Sequence, residues 1–202
     1  MKVLVKFMTK SLGDTIGGMP AVEEYRIREG LEVHVDCGWS NILKRSYPSL
    51  TFVGENCVDS YDVVVPVNYH FDMPLQYSFA YDLGFKNWFY HRPVVDFVPR
   101  ERPIKGKYVS FGIHTTSQAK YWNYPNGWDT LCRMLRKKNI TPVCIDKDEI
   151  FGMSRQWDKM ARISIEKTGN IVPKSSVKRL DNTIEEAMNY IYHSEFFMAS
   201  LS

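Results

Sequence analysis

Short apolar runs rich in β-branched residues recur along the chain, and segments with apolar residues at helical spacing follow them. Residues 3–8 form the first run and predict a strand. It gives way to Thr9, Lys10, Ser11, Leu12, Gly13 and Asp14, which predict a loop, and a helix pattern starts at Pro20. Residues 31–35, 50–53 and 61–67 predict further strands, and residues 41–47 a short helix. Strands alternating with helices imply an α/β fold with parallel pairing and right-handed crossovers.

Residues 92–106 carry Pro93, Pro99 and Pro103 among charges and lack periodicity, so they predict a connector. The expected organisation is one domain over residues 1–95, a connector over 96–106 and a second domain over 107–202. The second domain repeats the first: a strand at 108–113, a polar loop at 114–125, a helix at 127–138 and a strand at 142–145. Thr183 and Glu186 have the spacing of a capping box at a helix start, and residues 195–200 predict a last strand. A parallel strand normally runs on into a covering helix, so the second domain is expected to be incomplete and the chain truncated.

Composition narrows the function classes. Hydrophobic residues make up 44% of the 202 residues and charged ones 24%, enough to bury a core. A net charge of +3 with the signs interspersed argues against a nucleic-acid partner. The cationic run Arg133, Arg136, Lys137 and Lys138 is expected to be a solvated helix end that complements the dipole. Cys37, Cys57, Cys132 and Cys144 have no metal-ligand spacing with the histidines and are expected to be buried thiols. With no leader and no membrane-length run, the expected location is the cytoplasm, a setting compatible with peripheral membrane association.

Two loops carry candidate chemistry. Ser11 to Gly18 follows the first strand, where open α/β sheets place their ligands. It is neither GxGxxG nor a P-loop. Ser11, Gly13 and Gly17 would form a cleft loop that a substrate can approach closely, with Asp14 projecting into the cleft; the alternative makes Asp14 only a helix cap. In the second loop, Thr115, Thr116 and Lys120 lie ahead of a helix N-terminus and suit an anionic diphosphate; the alternative is a polar surface loop anchored by Tyr121 and Trp122. Two such loops, each opening one domain, suggest a shared cleft. Asp146-Lys147-Asp148 has a DxD spacing, but the intervening lysine favours a solvated strand-end turn, and no metal is expected.

These residues resemble the bacterial heptosyltransferases of lipopolysaccharide synthesis, a glycosyltransferase family 9-like group. Ser11-Leu12-Gly13-Asp14 and Pro20 match its opening, and Thr116, Lys120, Trp122 and Pro125 match its second loop. The autotransporter O-heptosyltransferase subgroup is the more similar, through Glu23-Glu24-Tyr25-Arg26, the run from His114 to Trp128, and Glu195-Phe196-Phe197. The resemblance implies a GT-B architecture: two Rossmann-like domains, acceptor on the N-terminal side and nucleotide sugar on the C-terminal side. It implies Asp14 as general base, with Thr116 and Lys120 on the donor phosphates. It further implies no cofactor, with a nucleotide-diphosphate sugar such as ADP-heptose as donor, and a glycan or protein hydroxyl as acceptor. The family's diphosphate-cupping helix start and the subgroup's iron-binding cysteine cluster would both lie past Ser202.

The expected chemistry is an inverting, metal-independent displacement in which Asp14 takes the acceptor proton while Lys120 and the helix start at Asn126 stabilise the leaving diphosphate. The rival is an inactive glycosyltransferase-like fragment that binds a nucleotide or a partner. A Rossmann dehydrogenase or epimerase is disfavoured by the missing glycine fingerprint.

Overall fold

The computed structural model describes residues 1–54, 60–88, 90–115, 122, 124–151, 155–158, 163–166 and 170–200. The chain divides into two compact units, Met1–Phe97 and Val98–Ser202.

Unit 1 holds a four-stranded parallel sheet. Its strands are β1 (Lys2–Phe7), β2 (Glu32–Asp36), β3 (Thr51–Val53) and β4 (Val63–Val67), in the order β3-β2-β1-β4. Helices α1 (Leu12–Glu29), α2 (Ser40–Leu43) and α3 (Leu75–Asp82) complete it. The central strand β1 is apolar on both faces because both are covered: Val3, Leu4 and Val5 are all at most 1% exposed.

The first helix starts eight residues before Pro20, which corrects the expected loop over Ser11 to Gly18. Ser11 is its N-cap, accepting from the Asp14 N–H at 3.4 Å, and Gly30 ends it in the left-handed conformation (φ 61°). Pro20 therefore sits inside the helix, where it has no N–H to offer the Ile16 carbonyl. Gly17 and Gly18 serve packing. A Cβ on Gly17 would lie 2.7 Å from Leu75 Cδ2, and one on Gly18 would lie 2.8 Å from both Phe7 and Phe79. The bare backbone lets α1 lie close against α3 and β1. Arg28 closes the far end of this contact, its guanidinium 4.0 Å over the Phe85 ring and bonded to the Leu83 carbonyl at 3.1 Å.

Unit 2 repeats the topology. β5 (Tyr108–Gly112), β6 (Thr141–Cys144), β11 (Val177–Lys178) and β12 (Phe197–Ala199) form a parallel sheet in the order β11-β6-β5-β12, so the first strand again lies between the second and the fourth. Helix α4 (Gly127–Lys137) joins β5 to β6, and α5 (Ile184–His193) leads into β12. The expected capping box on α5 is present, with Glu186 N–H to Thr183 Oγ1 at 3.2 Å and Thr183 N–H to Glu186 Oε2 at 2.8 Å. Between β6 and β11 lie two antiparallel pairs that the sequence reading did not include: β7 (Ile150–Phe151) with β10 (Asn170–Ile171), and β8 (Arg155–Asp158) with β9 (Ile163–Glu166). Phe111, Ile113, Cys132 and Cys144 are the centre of this unit's core. The cationic run on α4 is exposed as expected, with Arg133 paired to Asp129 at 3.2 Å. Cys37, Cys132 and Cys144 are free and buried, as expected; Cys57 lies outside the described residues.

Candidate functional site

In unit 1 the candidate site forms where β1 hands over to α1. Met8 still bonds the end of β4, through its N–H to the Val67 carbonyl at 2.9 Å, and the chain then turns through Thr9 and Lys10. The Thr9 hydroxyl accepts the Ser11 N–H at 3.1 Å and donates to Asp14 Oδ2 at 3.0 Å. Its direction is forced, because a backbone N–H can only donate, which leaves the hydroxyl proton for the carboxylate. The Trp39 indole N–H closes the turn on the Lys10 carbonyl at 3.1 Å.

Asp14 is thus the third residue of α1 and not its cap, a role that Ser11 fills. It is half-buried. Gly13 and Gly17 are helical, Gly13 exposed and Gly17 buried, but both line a cavity of about 460 Å³ whose lining does not include Asp14; the Asp14 carboxylate turns to Thr9 instead. Its other walls are the start of α3, from Pro74 to Tyr77, and the strap carrying Trp88, Tyr90 and Pro93.

Gln76 holds that strap. It is 5% exposed, accepts the Trp88 indole N–H at 3.2 Å and the His91 N–H at 3.0 Å, and donates to the His91 carbonyl at 2.6 Å. The Tyr77 hydroxyl donates to the Lys86 carbonyl at 3.1 Å. These groups of the wall are committed to the protein itself, and the cavity is apolar in character. The sequence reading did not include Gln76 or α3. A buried glutamine on a helix that also buries Ser78 and exposes Tyr81 leaves no apolar stripe to read.

In unit 2 the second loop leaves the carboxyl end of β5. Ile113 and Thr115 are buried, at 0% and 4% exposure, and His114 is half-buried. Thr116 and Lys120, the residues expected on the donor phosphates, lie outside the described residues, as does Tyr121. The loop's far end is an aromatic stack: Trp122 meets Trp128 edge-on with centroids 5.0 Å apart, and Trp128 stacks on Phe111 at 5.5 Å. Asn126 starts α4 in the left-handed conformation (φ 54°), and a Cβ on Gly127 would lie 2.9 Å from the Trp122 ring. The stack thereby fixes where α4 presents its first amides.

Asp146 departs from the expected solvated turn. Its side chain is 13% exposed, and its Oδ2 accepts the Ile113 N–H at 2.6 Å and the Cys144 thiol at 3.5 Å, with His114 Nδ1 3.8 Å away. Asp148, two residues on, is exposed. Among the described residues no three His, Cys, Asp or Glu side chains come together to hold a metal.

No family model matches the chain. Among curated proteins, the autotransporter heptosyltransferase TibC of Escherichia coli O78:H11 is 24% identical over 218 residues, covering 97% of this chain and 49% of that protein. The autotransporter heptosyltransferase Aah of Escherichia coli is 25% identical, with 97% and 51% covered. The crystal structure of TibC, described as a bacterial iron-containing dodecameric glycosyltransferase, superposes with a TM-score of 0.80 at 22% identity, over 98% of this chain and 52% of that one. TibC has also been solved with ADP-D-β-D-heptose. The iron is a property of TibC, and the described residues of this chain offer no ligand set that fits it. The chain spans about half the length of the curated relatives it matches. It has the GT-B heptosyltransferase architecture, as expected, and over 97% of its length it is similar to the autotransporter heptosyltransferases.

Proposed function

We propose that the chain carries the acceptor side and part of the donor side of a glycosyltransferase that moves a heptosyl group from ADP-heptose to a hydroxyl acceptor. The observation that carries this reading is Asp14: a carboxylate oriented by Thr9 in the first turn of α1, the helix whose Gly13 and Gly17 line a cavity of about 460 Å³. The likeness to TibC, solved with ADP-D-β-D-heptose, supplies the donor class.

In the proposed step the acceptor hydroxyl oxygen attacks the anomeric carbon as the bond to the diphosphate oxygen breaks. Asp14 takes the hydroxyl proton, ADP leaves, and the configuration inverts. A positioned base of this kind contributes about 10²–10⁴-fold. Thr9 donates to Oδ2 and so orients the carboxylate that receives the proton. The cavity lined by Gly13 and Gly17 takes part of the acceptor, whether glycan or protein. In unit 2, Thr115 sets the loop from within, Thr116 and Lys120 hold the phosphates, and the α4 start stabilises the leaving charge. No metal takes part in this scheme. Residues 1–95 and 107–202 act as the acceptor-side and donor-side domains, joined through 96–106. Among the described residues no helix is long and apolar enough to cross a membrane. We place the protein in the cytoplasm, with any membrane contact peripheral.

The second reading is nucleotide or partner binding without transfer. Incubation of the protein, as its gene encodes it, with ADP-heptose and candidate acceptors separates the two. Transfer that survives a chelator supports the enzyme, whereas ADP binding without turnover supports the second reading. A strict Mg²⁺ or Mn²⁺ requirement contradicts the metal-free scheme.

A further inference from the structure

We infer that Asp146 is a positioning residue for the diphosphate loop of unit 2, an inference that rests on the reading of that loop given under Proposed function. Ile113 is where the loop departs from β5, and its backbone is bonded from both sides. Asp146, just past the end of β6, accepts the Ile113 N–H at 2.6 Å. Ser200, just past the end of β12, donates its hydroxyl to the Ile113 carbonyl at 3.2 Å and its N–H to the Gly112 carbonyl at 3.1 Å.

Space for the carboxylate comes from Gly112, where a Cβ would lie 3.3 Å from Asp146 Oδ1. The residue that follows the clamp is His114, whose Nδ1 is 3.8 Å from Asp146 Oδ2. The exits of the two strands beside β5 therefore fix the direction in which the loop leaves the sheet.

Charge makes this arrangement testable. A carboxylate near a diphosphate site repels the ligand, and removing a carboxylate with no other role would tighten ADP binding. A carboxylate that holds the loop has the opposite sign: removing it loosens the donors that meet the phosphates. Hydrogen bonds to charged groups are worth enough for about a tenfold change in affinity.

The experiment is calorimetric titration of the protein, as its gene encodes it, with ADP and with adenosine, for the parent, Asp146→Ala, Asp146→Asn and Ser200→Ala. Asp146→Ala is expected to weaken ADP by about tenfold and adenosine by less than about threefold. Asp146→Asn keeps an acceptor oxygen for the Ile113 N–H and is expected to recover most of that loss. Ser200→Ala removes the hydrogen bond to the carbonyl of the same residue, Ile113, and is expected to weaken ADP selectively, which carries the test if Asp146→Ala does not fold. Unchanged or tighter ADP binding in Asp146→Ala, or equal losses for ADP and adenosine in it, overturns the inference alone. A parent protein that binds no ADP overturns the reading of the loop and the inference with it.

Discussion

The Thr9 hydroxyl donates to Asp14 Oδ2 at 3.0 Å while accepting the Ser11 N–H at 3.1 Å, so one side chain sets both the N-cap and the orientation of the carboxylate. Thr9→Val keeps the shape and removes the hydroxyl. It is expected to lower kcat by about tenfold, the worth of a hydrogen bond to a charged group, with little change in either KM. Thr9→Ser is expected to restore the rate. Steady-state kinetics on the two variants checks this; a Thr9→Val protein with parental kcat would show that Asp14 needs no such orientation.

The contact of α1 with β1 and α3 leaves no room at Gly18. Gly18→Ala puts a methyl 2.8 Å from the Phe7 and Phe79 rings, both buried, and is expected to cost about 1–3 kcal/mol. Gly17→Ala meets the end of the Leu75 side chain and is expected to cost less, because that group can change rotamer. Urea unfolding of the two variants ranks them; equal midpoints would contradict the packing described.

Much of this was legible in the chain. Strands β1 and β4 stand out as valine-rich runs, and β2, β5 and β6 as shorter stretches in which apolar residues dominate or alternate with polar ones. Thr183 and Glu186 announce α5 through chemistry that is local by nature. The start of α1 was not legible, since two glycines and a proline read as loop until Leu75, Phe7 and Phe79 explain them. The place of Asp146 is hidden for a similar reason: its spacing to Asp148 lies along the chain, whereas its partner Ile113 lies 33 residues away, just past the end of the neighbouring strand. The short antiparallel pairs and β11 are too brief for periodicity to show.

Burial raises the thiol of Cys132, from an ordinary value near 9 to about 11, and raises that of Cys144 as well. A thiol whose folded-state pKa is raised binds its proton more tightly in the native protein than in the unfolded chain. Its contribution to stability is therefore present below the unfolded value and lost as pH rises from about 9 towards 11. Unfolding midpoints are expected to fall across that window, and the fall is expected to be shallower in Cys132→Ala. At pH 8, Cys132 and Cys144 are expected to resist a thiol reagent until denaturant is added. Immediate reaction of both in the native protein would contradict their place in the core.

The central claim is that Asp14 is the base. The measurement that tests it most directly is the single-turnover rate of heptosyl transfer from ADP-heptose by Asp14→Asn, beside the parent, with ADP affinity measured on both. Asparagine keeps the size of the side chain and an acceptor for the Thr9 hydroxyl, so fold and ADP affinity are expected to stay close to parental while the transfer rate falls by about 10²-fold or more. Transfer by Asp14→Asn at the parental rate would contradict the account.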